Sequence, residues 1–509
     1  MSDVFSPSAL VSGAAWVAGC RIVGILATLA ANILVARLLG PAEFGTYVLA
    51  TTCVWLGSLV GMAGLNEAGL RFISESLALD RPGVARAYVR RVLRGVGRVS
   101  LVSAVVVAAA LGGFQWFTGR IPEPQLVAGL VALGIVALAW QQVAAESLRA
   151  YGDLRLASLF SGGQSGGPLS NLLFLAGLGV AAALSARIDA ALALGAGVAS
   201  VCLTAPLVLG TLWRTAGPAR HGRAVAPAGA EWLSSRQEQE LRAVGGMLLL
   251  NQLLAFAGQQ SDIWLGGVLL SPVDLGLYGA AKRILLLAAM PVQMAMMAVV
   301  SAVPRLHAQG RTRELERLLR TAATAAAAPA LLALMLLAVC PGTVLRLVFG
   351  RAYAAAAPAV WVLLFGHLVL VLSGNPPHVL AMTGRHRTVV GVNLVAAMML
   401  IVGGAAGARR WGPAGLAAGS AASLALQNVA LWWLAHRQLG LWTHVRWPIP
   451  WGSEQRPGSA GSVAAVSGRS EQRLEAPCRN KTTNSRAGHS ERSEESSVNS
   501  RRDPSLRSG

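Results

Sequence analysis

From Leu10 to Leu434 the chain repeats one pattern: a run of about 20 predominantly apolar residues, then a short connection that often carries arginine. Each run is long enough to cross a hydrocarbon core of about 30 Å. Hydrophobic residues make up 54% of the chain and charged residues 13%, with a mean hydropathy of +0.54. A soluble domain carries about 25% charged residues, so the pattern predicts an all-α polytopic membrane protein. The many Gly and Ala residues in the runs fit, because small residues let membrane helices approach closely. Twelve helices are expected, near 10–36, 47–66, 99–117, 125–145, 168–185, 189–213, 243–270, 279–303, 323–341, 355–383, 388–406 and 413–436. The tenth is expected to break at Pro376 and Pro377, because proline removes a backbone donor.

A stretch near the start recurs near the middle. Leu38–Tyr47 reads LLGPAEFGTY and Leu269–Tyr278 reads LLSPVDLGLY. Leu38 matches Leu269, Pro41 matches Pro272, Glu43 matches Asp274, Gly45 matches Gly276 and Tyr47 matches Tyr278. Two related halves follow, and membrane proteins built from structural repeats often place a substrate site between them. The expected organisation is a six-helix lobe over 1–213, a cytoplasmic linker over 214–242, a second six-helix lobe over 243–440 and a polar tail over 441–509. The clearest change of composition comes at Trp447. WPIPWGSEQRPGSAGS opens a Ser-, Arg- and Gly-rich segment too poor in apolar residues to bury a core, and disorder is expected there.

The formal net charge is +20, which raises nucleic acid as a partner. The arginines are instead concentrated in connections between apolar runs and in the tail, the pattern of the positive-inside rule rather than of a basic groove. With the N-terminus in the cytoplasm, 21 arginines fall in inner connections and 7 in outer ones. Both termini are therefore expected inside. The basic stretch LALDRPGVARAYVRRVLR has helical spacing and reads either as a helix on the anionic inner leaflet or as a solvated loop helix that sets topology.

Five cysteines occur without CxxC or Cys/His spacing, so neither a disulfide nor a metal site is expected. The N-terminus lacks the charged region of a cleavable signal peptide, and the first run reads as a retained membrane helix. No phosphate-binding loop and no HExxH is present. No catalytic set emerges, and an enzyme is not expected.

Four phrases in order resemble one family. ANILVARLLGPAEFGTYVLA is similar to the first hairpin of the polysaccharide-transport (Wzx-like) flippases of the multidrug/oligosaccharidyl-lipid/polysaccharide (MOP) superfamily. QQSDIWLGGVLLSPVDLGLYGAAKRI resembles the start of their second half. LRLVFGRAYAAAAPAVWVLLFGHLVLVLSG with LAMTGRHRTVVGVNLVAA resembles their ninth-to-eleventh helix region, and WGPAGLAAGSAASLALQNVALWWLAHRQLG their last core helix. The likeness covers about residues 8–440. It implies a MATE-like V shape of two six-helix lobes around a central cavity. It also implies translocation of undecaprenyl-pyrophosphate-linked oligosaccharide across the bacterial inner membrane, for O-antigen (lipopolysaccharide), capsule or exopolysaccharide. The partners implied are that lipid-linked oligosaccharide and membrane lipids, with a polysaccharide polymerase or glycosyltransferases alongside.

Such cargo joins an anionic diphosphate to a glycan that hydrocarbon excludes, so a polar, cationic cavity is needed. Charged residues within membrane runs are costly and are site candidates by default. Arg21, mid-way along the first run, is the leading diphosphate ligand, since guanidinium forks match phosphate oxygens. The alternative is a structural pair. Lys282 and Arg283 lie at the cavity or its mouth, or pair with Asp274. Asp262 either binds a coupling H+ or Na+ or pairs with Arg21 or Lys282 across the lobes. Asn251, Gln259, Gln260 and His367 are polar cavity candidates. Glu67, Glu146 and Arg149 read as gate or interface residues. Two alternatives stand beside the flippase. One is a cation-coupled multidrug antiporter of the same fold, for which acidic cavity residues are expected. The other is a polysaccharide polymerase or ligase, for which a large outer loop is expected.

Overall fold

In the computed structural model, described residues are 7–119, 123–162, 166–184, 188–217, 233–299, 303, 306–307, 309–374 and 376–446. They form fifteen α-helices and no strand. In the first half these are α1 (Pro7–Met62), α2 (Leu65–Ala78), α3 (Pro82–Thr118), α4 (Pro124–Ala150), α5 (Leu154–Phe160), α6 (Pro168–Ala183) and α7 (Ala190–Ala216). The second half holds α8 (Ser235–Leu269), α9 (Pro272–Ala288), α10 (Met290–Val299), α11 (Thr312–Val339), α12 (Pro341–Val348), α13 (Ala357–Ser373), α14 (Pro376–Met382) and α15 (His386–Leu439). The chain is a multi-pass helical membrane protein. Eight described helices are long and apolar enough to cross a membrane, or nine if the bent pair α9–α10 counts as one span.

Two of these helices each contain two crossing segments. Helix α1 turns at Gly40 (φ 75°, ψ 172°) and α15 at Gly412 (φ 58°, ψ −138°), each followed by proline. Positive φ favours glycine, and the next residue can be proline because a helix's first N–H has no partner inside the helix. With these two turns and the shorter apolar α6, every one of the twelve expected stretches has a helical counterpart. The expected break in the tenth stretch is present, with Gly374 (φ 71°) between α13 and α14. A second break was not foreseen: α9 and α10 meet at 45°, just before Pro291. Proline removes the N–H that would bind the preceding turn and its ring clashes with that turn's carbonyl.

Several boundaries differ from expectation. The basic stretch Leu77–Arg94 is not a separate helix: it joins the end of α2 to the opening turns of α3, where Tyr88, Val89, Val92 and Leu93 are buried. Of the expected linker 214–242, residues 235–242 belong to α8, started by the Ser234–Gln237 capping box, and 218–232 lie outside the described residues. Residues 441–446, assigned to the tail, form a packed strap. Leu441 and Thr443 are buried, Thr443 Oγ1 donates to Ser373 O (2.7 Å) and Val445 N to Leu372 O (3.1 Å). The strap satisfies carbonyls left open where α13 ends. The tail proper, 447–509, lies outside the described residues.

The repeat motifs position everything else. A side-chain carbon on Gly45 would collide with the Pro272 carbonyl oxygen, and one on Gly276 with the Pro41 carbonyl oxygen. Each motif glycine thus receives the other motif's proline, a reciprocal contact of two pseudo-equivalent segments. Around it, one buried core holds residues of both halves, among them Phe44, Tyr47, Tyr278, Leu285 and Tyr353. The motif acids serve helix starts. Glu43 Oε2 accepts from Ala190 N at the start of α7 (3.0 Å), and Asp274 pairs with its N-cap Ser271 (2.8 Å).

Candidate substrate cavity

A cavity of about 690 Å³ lies between the halves. Its walls are α1 on both sides of the Gly40 turn, α4 to α7, Gln260 and Ile263 of α8, and α9 with Met290. It runs from Tyr47, Arg283 and Phe349 near the motif crossing to Val17, Glu146, Arg149 and Ser161 at the other end. The motif end is closed. Beyond the glycine crossing, Arg37 donates to the Leu347 carbonyl and to that of Val348 (2.7 Å), covering the carbonyl end of α12, and Tyr353 OH donates to Ala36 O (3.0 Å).

Charge on the wall is strongly one-sided. Its described charged residues are four cations, Arg21, Arg149, Lys282 and Arg283, and one carboxylate, Glu146. Glu146 is already engaged by Arg149 (2.9 Å), whose other nitrogen donates to Ser161 Oγ (2.8 Å). Arg21 is exposed to the cavity and forms no ion pair among the described residues. The Arg283 guanidinium sits 4.8 Å from the Phe44 ring centroid, a cation–π contact, and its Nη1 is buried without a hydrogen-bond partner among the described residues.

Asp262 is 2% exposed and does not face the cavity. Lys282 Nζ lies 2.6 Å from its Oδ1, so Asp262 pairs with Lys282 within one half rather than across the halves, and Lys282 does not pair with Asp274. Tyr278 OH donates to Asp262 Oδ2, and Ser420 Oγ lies 3.4 Å from the same oxygen. The structure thus brings Arg21, Lys282, Arg283 and Gln260 to one cavity. Besides Asp262, it leaves out three candidates. Asn251 is exposed and off the wall, Gln259 contributes a carbonyl to Lys282 and no lining side chain, and His367 is buried with Nδ1 3.0 Å from Leu363 O. An exposed or fully packed polar residue reads the same in sequence as a lining one. Glu67 accepts from Gln252 (2.8 Å), joining α2 to α8.

Thr28, Asn32, Thr51, Thr52 and Asn171 also line the cavity and were not singled out in sequence. Two signals point to them. Arg21, Thr28 and Asn32 are spaced seven and four apart, one face of a helix. Thr51 and Thr52 occupy the repeat positions of Lys282 and Arg283, so both halves present the same two positions to the cavity.

Known structures share this architecture. An inward-facing multidrug resistance MATE transporter of the MOP superfamily superimposes with a TM-score of 0.66 at 15% identity, covering 82% of this chain and 94% of that one. The fold is that of MOP-superfamily transporters. The lipid II flippase MurJ, in an inward closed conformation, matches with a TM-score of 0.60 at 12% identity over 84% of this chain and 87% of its own. A Pyrococcus furiosus MOP transporter, whose reversed binding-pocket polarity suggests a different function for it, matches at 0.56, 15% identity, 84% and 95%. At such identities the likeness is one of fold. A UPF0761 membrane protein of Alkalilimnicola ehrlichii is 32% identical over 108 residues, 21% of this chain and about a quarter, 24%, of that protein's length. No protein-family profile matches the chain.

Proposed function

We propose that this chain is a flippase that moves an anionic lipid-linked oligosaccharide, of the undecaprenyl-pyrophosphate type, across the bacterial inner membrane by alternating access. The observation that carries the reading is the cationic wall: Arg21 and Arg283 bring guanidinium groups without an ion-pair partner among the described residues to one cavity from the two halves, while Lys282 is paired with Asp262 and the one described lining carboxylate, Glu146, with Arg149. Guanidinium groups in a low-dielectric cleft favour diphosphate over cationic cargo. Thr28, Asn32, Thr51, Thr52 and Asn171 offer hydroxyls and amides to sugar hydroxyls. With both termini in the cytoplasm, the closed motif end faces outward and the open end accepts cargo from inside.

The multidrug antiporter shares the fold and is the second reading. It calls for an acidic cavity, whereas here Asp262 is covered by Lys282 and Glu146 by Arg149. A polymerase or ligase reading finds no catalytic set among the described lining residues to support it, and we propose transport as the role. The deciding experiment is accumulation of lipid-linked oligosaccharide in cells lacking the protein. Inner-leaflet accumulation relieved by wild type, but less than a tenth as well by Arg21→Ala or Arg283→Gln, is the expected result. No accumulation in a deletion without a redundant flippase overturns the reading and moves drug export forward.

A further inference from the structure

We propose that the Lys282 ammonium is a built-in cation: it occupies an oxygen-lined position in the second half that takes a free monovalent cation once the ammonium is removed. Lys282 Nζ is held by Asp262 Oδ1 at 2.6 Å and by the Gln259 carbonyl. The other carboxylate oxygen is held by Tyr278 OH and Ser420 Oγ, and Ile263 N donates to Oδ1 (2.9 Å). Carboxylate and carbonyl oxygens are the donors that hard cations such as sodium prefer. The position is fixed by three helices, α8, α9 and α15, so its oxygens stay together when the ammonium leaves.

The repeat supplies an independent argument. In the first half the counterpart of Asp262 is Ala31 and that of Lys282 is Thr51. Both partners are neutral there and both are charged in the second half, so the carboxylate and its cation occur as a unit. Burial explains why: side-chain exposure is 3% for Asp262 and 13% for Lys282, and a carboxylate that deep requires a counter-charge. Around Asp262 stand Lys282 and Tyr278 from α9, the Gln259 carbonyl from α8 and Ser420 from α15. His367 from α13 lies within Coulombic range of both charges. Among the described residues, Lys282 alone supplies a full positive charge in contact. The inference does not rest on the flippase reading and holds whatever the cargo.

The test is thermal unfolding of the purified full-length protein in detergent, in chloride salts of sodium, lithium, potassium, methylammonium and choline at equal ionic strength. Wild type is expected to melt at the same temperature in sodium and in choline. Lys282→Ala is expected to melt lower in choline and to rise with the logarithm of sodium or methylammonium concentration, as ligand linkage requires. The Asp262→Asn/Lys282→Ala double variant is expected to be indifferent to the salt. Sodium-specific stabilisation of wild type that Asp262→Asn abolishes overturns the proposal, because a free cation would then bind beside Lys282. So does a folded Lys282→Ala protein equally stable in every salt. Lys282→Met, which keeps the volume and loses the charge, repeats the comparison if Lys282→Ala does not fold. Failure of both to fold in sodium and in methylammonium also counts against it, since a replaceable cation restores them.

Discussion

Single residues in this chain act through what lies opposite them. Gly45 and Gly276 carry no chemistry, yet each faces the other motif's proline carbonyl. Gly276→Ala is expected to destabilise by about 1–3 kcal/mol, the usual cost of overpacking. Gly179→Ala, where an added carbon meets nothing within 4 Å, is expected to be neutral or slightly stabilising, as a Gly-to-Ala change inside a helix is. Parallel thermal melts of the two variants check this. Asp262→Asn alone leaves the Lys282 ammonium buried without its counter-charge and is expected to cost about 3–5 kcal/mol. Tyr278→Phe removes one hydrogen bond to a charged group and is expected to cost about 1.5–3 kcal/mol. The same melts rank the two.

At the scale of elements, two devices depend on breaks in helices. The 45° bend between α9 and α10 lies on the wall that also carries Lys282, Arg283 and Met290. Pro291→Ala restores an N–H to the preceding turn. It is expected to straighten the pair, change a spin-label distance between α9 and α10, and lower the proposed flux. The second device is the strap 441–446. His444 stands between two donors, Trp432 Nε1 at 3.3 Å from Nδ1 and Arg320 Nη2 at 3.2 Å from Nε2. Burial, then the Arg320 charge, holds its imidazole below its ordinary pKa, with Glu316 opposing. A depressed histidine pKa means the unfolded chain binds more protons, so stability rises with pH across the affected window. The strap's contribution is therefore complete above about pH 6.5 and falls on acidification below it. The protection factor of amides in residues 441–446, taken relative to the base-catalysed intrinsic rate at each pH, is expected to fall below that pH in wild type and to lose this dependence in His444→Gln.

At the scale of the whole molecule, two halves share one core at the motif end and part around a cavity towards the other. Under the proposed alternating access this closure must open, so joining cysteines at positions 37 and 348, which face each other across the closed end, with a disulfide-containing thiol cross-linker is expected to stop flux while leaving the fold intact. Reducing agent is expected to restore flux in the same vesicles.

How much of this was legible beforehand follows from the physics of each signal. The membrane helices, the repeat and the glycine–proline turns follow from chain composition, because a hydrocarbon solvent and backbone sterics act locally along the sequence. Arg21, Lys282 and Arg283 stand out in sequence because charge in an apolar run is conspicuous. The chain alone offered Lys282 as only one of several roles for Asp262, and it did not say that Asn251 and His367 lie off the wall or that Thr51 and Thr52 lie on it. Those assignments depend on which faces of α1, α8, α9 and α15 meet, and helix rotation within a membrane is set by packing against neighbours rather than by hydropathy. The α9–α10 bend and the strap were missed for the same reason: a proline in an apolar run and a short Trp- and His-bearing segment acquire meaning only from the partners that tertiary structure supplies.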